Sequence, residues 1–180
     1  MRIPLEDYVW AAGIATDLVN TAALVWKDGS DRLPDPAALR AFLVDHALGT
    51  AVSSSEADLA AVHALRARLR VVVETVDPTG ASALVADAAT VTLDPDGARW
   101  VLDLPDHSPA TAVLGTAAGV GVLGALRYLG PERFRTCDAG CRGLFIDTSR
   151  AGRRRYCMPR ICGNRVAVAA HRQRNPLGRR

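Results

Sequence analysis

Cysteine is missing from the first 136 residues of this 180-residue chain, and lysine is missing from the last 49. The first absence leaves the long N-terminal part without a disulfide framework or a thiolate metal site. The second means that positive charge near the C-terminus is supplied by arginine, the cation suited to bidentate contacts. The opening MRIPLEDYVWAAGIATDLVN lacks the uninterrupted apolar run and small-residue cleavage site of an export signal, because Glu6, Asp7 and Asp17 interrupt it. A cytoplasmic protein is expected. No Ser–His–Asp order or glycine-rich phosphate loop has a supporting context. His46, His63 and His107 stand alone on different expected elements. The chain is therefore not expected to be an enzyme, has no candidate catalytic residues, and offers no second metal site. Internal repeats and long low-complexity linkers are absent as well.

Charge is missing from Pro109 to Leu126. That length raises the question of a membrane span, but the stretch is mostly Ala, Gly, Val and Thr with only three leucines, so its transfer energy is weak. A buried helix is expected and no membrane partner. Within it, GVGVLG at 119–124 matches the dinucleotide fingerprint G-x-G-x-x-G. The fingerprint works only between a strand and a helix, with an acidic residue on a following strand. Here that following region is a cysteine cluster, so the glycines are read as close-packing positions.

The remaining sequence is rich enough in apolar residues, at 49% of the chain, to build a core. Residues 6–26 read as a helix with Ile14, Leu18 and Val25 on its buried stripe. Asp35 and Pro36 have the grammar of a helix start, followed by Leu39, Phe42 and Leu43 facing inward. SSSE opens a helix over 56–76, with Leu59, Val62, Leu65 and Leu69 buried and Arg66, Arg68 and Arg70 outside. A turn at DPTG, a short helix over 81–88, a β-hairpin about Asp94-Pro95-Asp96-Gly97 and a helix over 109–129 complete the pattern. The expected fold is α+β: a mainly helical N-terminal domain with a β-hairpin, residues 1–130, followed by a small four-cysteine zinc finger, residues 131–180.

The formal charge of +3 conceals a division. Residues 1–131 carry nine Lys/Arg against sixteen Asp/Glu, while 132–180 carry thirteen Arg against three acids. The basic part contains all four cysteines, Cys137, Cys141, Cys157 and Cys162, as two short-spaced pairs fifteen residues apart. Each pair can fold back on itself, and a hairpin in the stretch between them can bring the pairs together. Four thiolates satisfy a tetrahedral Zn2+ and leave no open position, so the site is structural. Gly140 suits the tight turn at the first pair. In a reducing compartment structural disulfides do not persist, whereas a redox switch and an iron–sulfur cluster remain open alternatives.

The run CRGLFIDTSRAGRRRYCMPRICGNR, residues 141–165, closely resembles the CGNR zinc finger, named for the residues that stand here as Cys162, Gly163, Asn164 and Arg165. Phe145, Asp147, Ser149, Arg150, Arg154 and Arg155 occupy the places of that family's Phe-x-Asp-x-Ser-Arg segment and its paired arginines. Tyr156 stands where Trp is usual, Met158-Pro159 replaces a Ser-Met pair, and Ala167 sits where a Lys often follows. Such fingers usually follow an ABATE domain with a D-F-V-N-T-like string, similar to Asp17-Leu18-Val19-Asn20-Thr21 here. The resemblance implies a transcription regulator.

GNRVAVAAHRQR reads as a short helix on which Arg165 and Arg172 share a face, while Val166, Ala169 and Ala170 pack on the finger. With Arg153, Arg154, Arg155 and Arg160 they form the candidate nucleic-acid surface. Asn164 and Arg165 are also candidates to support the metal ligands from behind. Asp17, Asn20 and Thr21 are candidates to line a small-ligand pocket, or else to tie helices together. The expected function is DNA binding by a zinc-organised finger, with the N-terminal domain sensing a small-molecule effector or forming a homodimer. The alternatives are a zinc-scaffolded protein-interaction module and a thiol-based redox or metal sensor.

Overall fold

The computed structural model describes residues 2–5, 8–49, 52–97 and 100–174. Among these residues six α-helices and five strands follow in the order β1 (Arg2–Leu5), α1 (Tyr8–Asn20), α2 (Pro36–Asp45), α3 (Glu56–Thr75), α4 (Pro78–Ser82), β2 (Thr90–Leu93), β3 (Trp100–Asp103), α5 (Ala110–Leu129), β4 (Phe134–Thr136), β5 (Leu144–Ile146) and α6 (Asn164–Arg174). The fold is α+β and mainly helical. Its two sheets are small and antiparallel, one ordered β1-β3-β2 and the other pairing β4 with β5.

Helix starts follow local chemistry. The Asp35 carboxylate accepts from the Ala38 N–H, and Pro36 opens α2. Ser55 and Asp58 close a capping box at the start of α3. The stripes lie where periodicity places them: Leu39, Leu43, Leu59, Val62, Leu65 and Leu69 are all buried. The hairpin about Asp94–Gly97 also forms, pairing Thr90 with Asp103 and Leu93 with Trp100.

α5 is long and apolar enough to cross a membrane, but it is the central core helix. Val113, Leu114, Ala117, Ala118, Val122 and Ala125 are completely buried, mainly against α1. The glycines of GVGVLG lie within this helix, Gly121 and Gly124 permitting the contact with α1 and Gly119 a contact with α4. A Cβ on Gly121 would stand 2.3 Å from the Ala11 carbonyl carbon, and one on Gly119 would stand 2.7 Å from the Ala81 oxygen.

Four expectations need correction. The helix expected over 6–26 ends at Asn20 and is followed by a 3-10 turn at Ala23–Val25; at its end the Thr21 N–H and hydroxyl both turn back to the Leu18 carbonyl, three residues earlier. Residues 6 and 7 lie outside the described residues. DPTG is a helix start, not a turn: Asp77 caps Thr79, and α4 runs from Pro78 to Ser82 instead of over 81–88. Arg66 points inward, its guanidinium donating to Asp31 at 2.8 and 2.5 Å and to the Thr21 hydroxyl at 3.0 Å. Finally, β1 adds a third strand to the expected hairpin by pairing with β3.

Candidate metal centre

β4 and β5 form a hairpin with Phe134 opposite Ile146 and Thr136 opposite Leu144. Its loop carries the first cysteine pair. The Cys137 N–H donates to the Gly143 carbonyl at 2.8 Å, and Gly140 takes a left-handed conformation at φ +67°, which glycine adopts without strain. The hairpin thus encloses the first pair instead of linking the two pairs, correcting the sequence expectation. Cys162 lies in a π-helical turn, Pro159–Gly163, where the N–H groups of Ile161 and Cys162 donate to the Met158 carbonyl.

All four cysteines are buried and none is bridged. Their sulfurs lie within 4.8 Å of one another. Cys141 Sγ is 3.5 Å from Cys157 Sγ and 3.7 Å from Cys162 Sγ, and the latter two are 3.7 Å apart. Thiolates about 2.3 Å from a tetrahedral ion stand about 3.8 Å from each other, whereas disulfide sulfurs are about 2.05 Å apart. The cluster has the dimensions of a four-thiolate metal cage.

Its electrostatics favour a cation. Burial pushes the Cys157 thiol up, and the neighbouring Cys141 and Cys137 reinforce the shift. Burial and Cys141 push Cys162 up to about 11. Burial also works against ionisation of Cys137, but N–H donation from Cys157 and Ala139 outweighs it and holds this thiol below its ordinary range. One anion is accommodated more readily than four. A divalent ion removes this repulsion and replaces the thiol protons.

The motif residues build the frame of this cage. Asp147 is completely buried. Its carboxylate accepts from the Ser149 N–H at 3.0 Å and hydroxyl at 2.5 Å, and from the Arg154 N–H at 2.9 Å. Burial alone would raise its pKa, but these bonds and the Arg135 guanidinium hold it below the usual carboxylate value. Arg154 turns inward, donating to the carbonyls of Tyr156 and Cys157 and lying 4.8 Å over the buried Phe145 ring.

A second set of contacts joins the finger to the helical body. Asn20 Nδ2 donates to the Leu144 carbonyl at 2.6 Å, and the Leu144 N–H donates back to Asn20 Oδ1 at 3.0 Å. The side-chain amide therefore acts as a neighbouring strand would. The Ile146 N–H adds a bond to the Thr16 hydroxyl at 3.2 Å. Gly143 is required at this junction, since a Cβ there would lie 2.4 Å from Cys157 Sγ and 2.9 Å from Asn20 Oδ1. Val25 and Trp26 complete an apolar cover over the sulfurs.

Asp17, Asn20 and Thr21 are candidates either to line a pocket or to tie elements together. Asn20 holds the finger, Thr21 donates to Leu18 and accepts from Arg66, and Asp17 is exposed and accepts from His46 Nε2 at 3.1 Å. The three side chains serve different contacts. Helix α6 also differs from expectation: none of its residues is buried, and Val166 and Ala169 are exposed while Ala170 is half-buried.

The candidate arginines divide accordingly. Arg154 is part of the frame, and exposed Arg155 donates to Asp138 at 2.8 Å. Arg153, Arg160 and Arg172 are exposed and Arg165 is half-buried, none with a side-chain partner among the described residues. Asn164 and Arg165 make no hydrogen bond to a cysteine among those residues. The sequence reading missed Asp147 and Arg154 as builders of the frame, and Asn20 as the tie to the finger. The first two stand in the finger motif, and the third stands in the DLVNT string.

A helical body carrying a four-cysteine, metal-binding finger is the class that this geometry defines. The chain belongs to the ABATE family, described as "Putative stress-induced transcription regulator", whose model matches residues 13–126. The CGNR zinc finger model matches residues 133–175. No curated protein matches the chain.

Proposed function

We propose that the protein is a cytoplasmic DNA-binding transcriptional regulator whose finger is organised by zinc. Zinc suits four thiolates in a closed tetrahedron, without an open position for catalysis. The observation that carries the reading is the direction of the finger's arginines. α6 projects from the last cysteine without burying a residue. Arg165 and Arg172 lie on it, Arg160 in the turn before it and Arg153 ahead of Cys157, all without side-chain partners among the described residues. Guanidinium groups fixed on a rigid core match phosphate oxygens and guanine edges.

Fluorescence anisotropy of metal-loaded protein with genomic DNA fragments across a salt series tests this reading. Contacts to about five phosphates give log K against log salt a slope of about −4 to −5. A flat response contradicts DNA binding.

The apolar residues beside these arginines favour a second reading. Ile161, Val166 and Val168 are exposed at 43%, 36% and 48%, as on a helix that docks with an acidic protein. Binding of an acidic protein fraction with no measurable DNA affinity would select it.

A further inference from the structure

A cleft of about 410 Å³ lies where α3 meets the finger, lined by Leu24, Arg70, Glu74, Thr136 and Arg142. Arg70 Nη2 donates to the Arg142 carbonyl at 2.7 Å, while its Nη1 is buried with no hydrogen-bond partner. An unpaired buried guanidinium nitrogen is costly. The side chains of Arg142, Glu74 and Thr136 also have no partner among the described residues. One wall thus combines two cations, one carboxylate, one hydroxyl and an apolar Leu24 side chain that is 45% exposed.

We propose that this cleft binds a small monocarboxylate bearing an amino or hydroxyl group and a short apolar part. Arg142 receives the carboxylate beside the fixed positive charge of Arg70, Glu74 accepts from the ligand's donor, and Leu24 covers its apolar part. Two arginines and one glutamate give the wall a formal charge of +1, which a hydroxy monocarboxylate neutralises and a dianion exceeds; an amino acid, a zwitterion at neutral pH, instead sets its carboxylate against the arginines and its ammonium against Glu74. Because Arg142 follows the metal-site residue Cys141 and Arg70 belongs to α3, the occupant would bridge the finger and the helical body. Binding itself is independent of the DNA-binding reading. The bridge supplies a route for an effector only if that reading holds.

The test uses the full chain loaded with metal and no DNA, followed by NMR at the Leu24 methyl groups and the Arg70 and Arg142 Nε–H signals. Sodium acetate and L-alanine are titrated against sodium chloride at constant ionic strength. Saturable shifts are expected for both carboxylates, with a dissociation constant for acetate of order 1–10 mM and tighter binding of L-alanine. Chloride should leave these signals unsaturated. Arg142→Ala, which keeps the carbonyl held by Arg70, should weaken acetate about fivefold or more. Glu74→Gln, at an exposed position, should improve inorganic phosphate relative to acetate and remove the preference for L-alanine. Equal effects of chloride and acetate, no saturation, or unchanged selectivity in Glu74→Gln would overturn the proposal. Glu74→Gln decides the matter if Arg142→Ala does not fold.

Discussion

Asn20 concentrates much of the connection between the two parts in one amide. Its replacement by Ala removes both bonds to Leu144 and leaves buried main-chain groups short of partners, at a cost of about 2–4 kcal/mol. Chemical denaturation should show that loss, and the Leu144 amide should lose protection in hydrogen exchange. Unchanged protection would contradict the tie. The DLVNT string marked Asn20 as noteworthy but not as this contact, because its partner is 124 residues away. The cysteines were legible for the opposite reason: both pairs are local, and only one point can receive all four sulfurs.

His46 illustrates a pH effect at the same scale. Burial lowers its pKa, but the hydrogen bonds to Asp17 and the Phe42 carbonyl outweigh this and raise it above the ordinary 6.5. The folded state therefore binds the proton more tightly than the unfolded state. The stabilisation is fully present below about pH 6.5 and disappears as pH rises through the raised folded value. Asp17→Asn should cost about 0.5–1 kcal/mol at pH about 5.5, given the exposed carboxylate, and little at pH about 8.5. Paired thermal melts at the two pH values provide the check. An equal loss at both would show that the charge is not responsible.

At the scale of elements, the contact of α1 with α5 depends on missing side chains. A Cβ added to Gly121 meets the main chain of Ala11, which has no flexible end to move aside. Gly121→Ala should destabilise the fold by about 1–3 kcal/mol or more, while the same change at Gly13, where a Cβ meets nothing within 4 Å, should be much milder. Comparable urea midpoints for both variants would contradict close helix packing. Apolar periodicity revealed α2 and α3, whose capping residues located their starts, and the uncharged stretch ahead of Gly130-Pro131 revealed α5. The pattern in α3 set Arg66 outside with Arg68 and Arg70, because the partners that draw it inward, Asp31 and Thr21, lie 35 and 45 residues away. β1 was missed because four residues carry little pattern and their pairing strand lies about a hundred residues further on.

For the whole molecule, the division of charge in the sequence becomes a division of work. The acidic helical body supplies Asn20, Thr16, Val25 and Trp26 to hold and cover the finger. The finger keeps Arg154 for its own frame and turns other arginines to solvent. The motif revealed the candidate metal ligands and the basic surface, whereas the different orientations of Arg153, Arg154 and Arg155 depend on buried carbonyls and a carboxylate that only the folded chain brings near. α6 likewise could not be separated from the finger by pattern alone, because its alternating Val and Ala residues suit packing as well as display.

The most direct test compares DNA affinity before and after metal removal in the same 180-residue chain. With one zinc ion per chain, binding should be salt-dependent. Chelation should abolish it, disorder the finger's amide signals and leave those of the α1–α5 core largely in place, and zinc should restore it. Undiminished DNA affinity after complete metal removal would contradict a surface of arginines organised by the four cysteines.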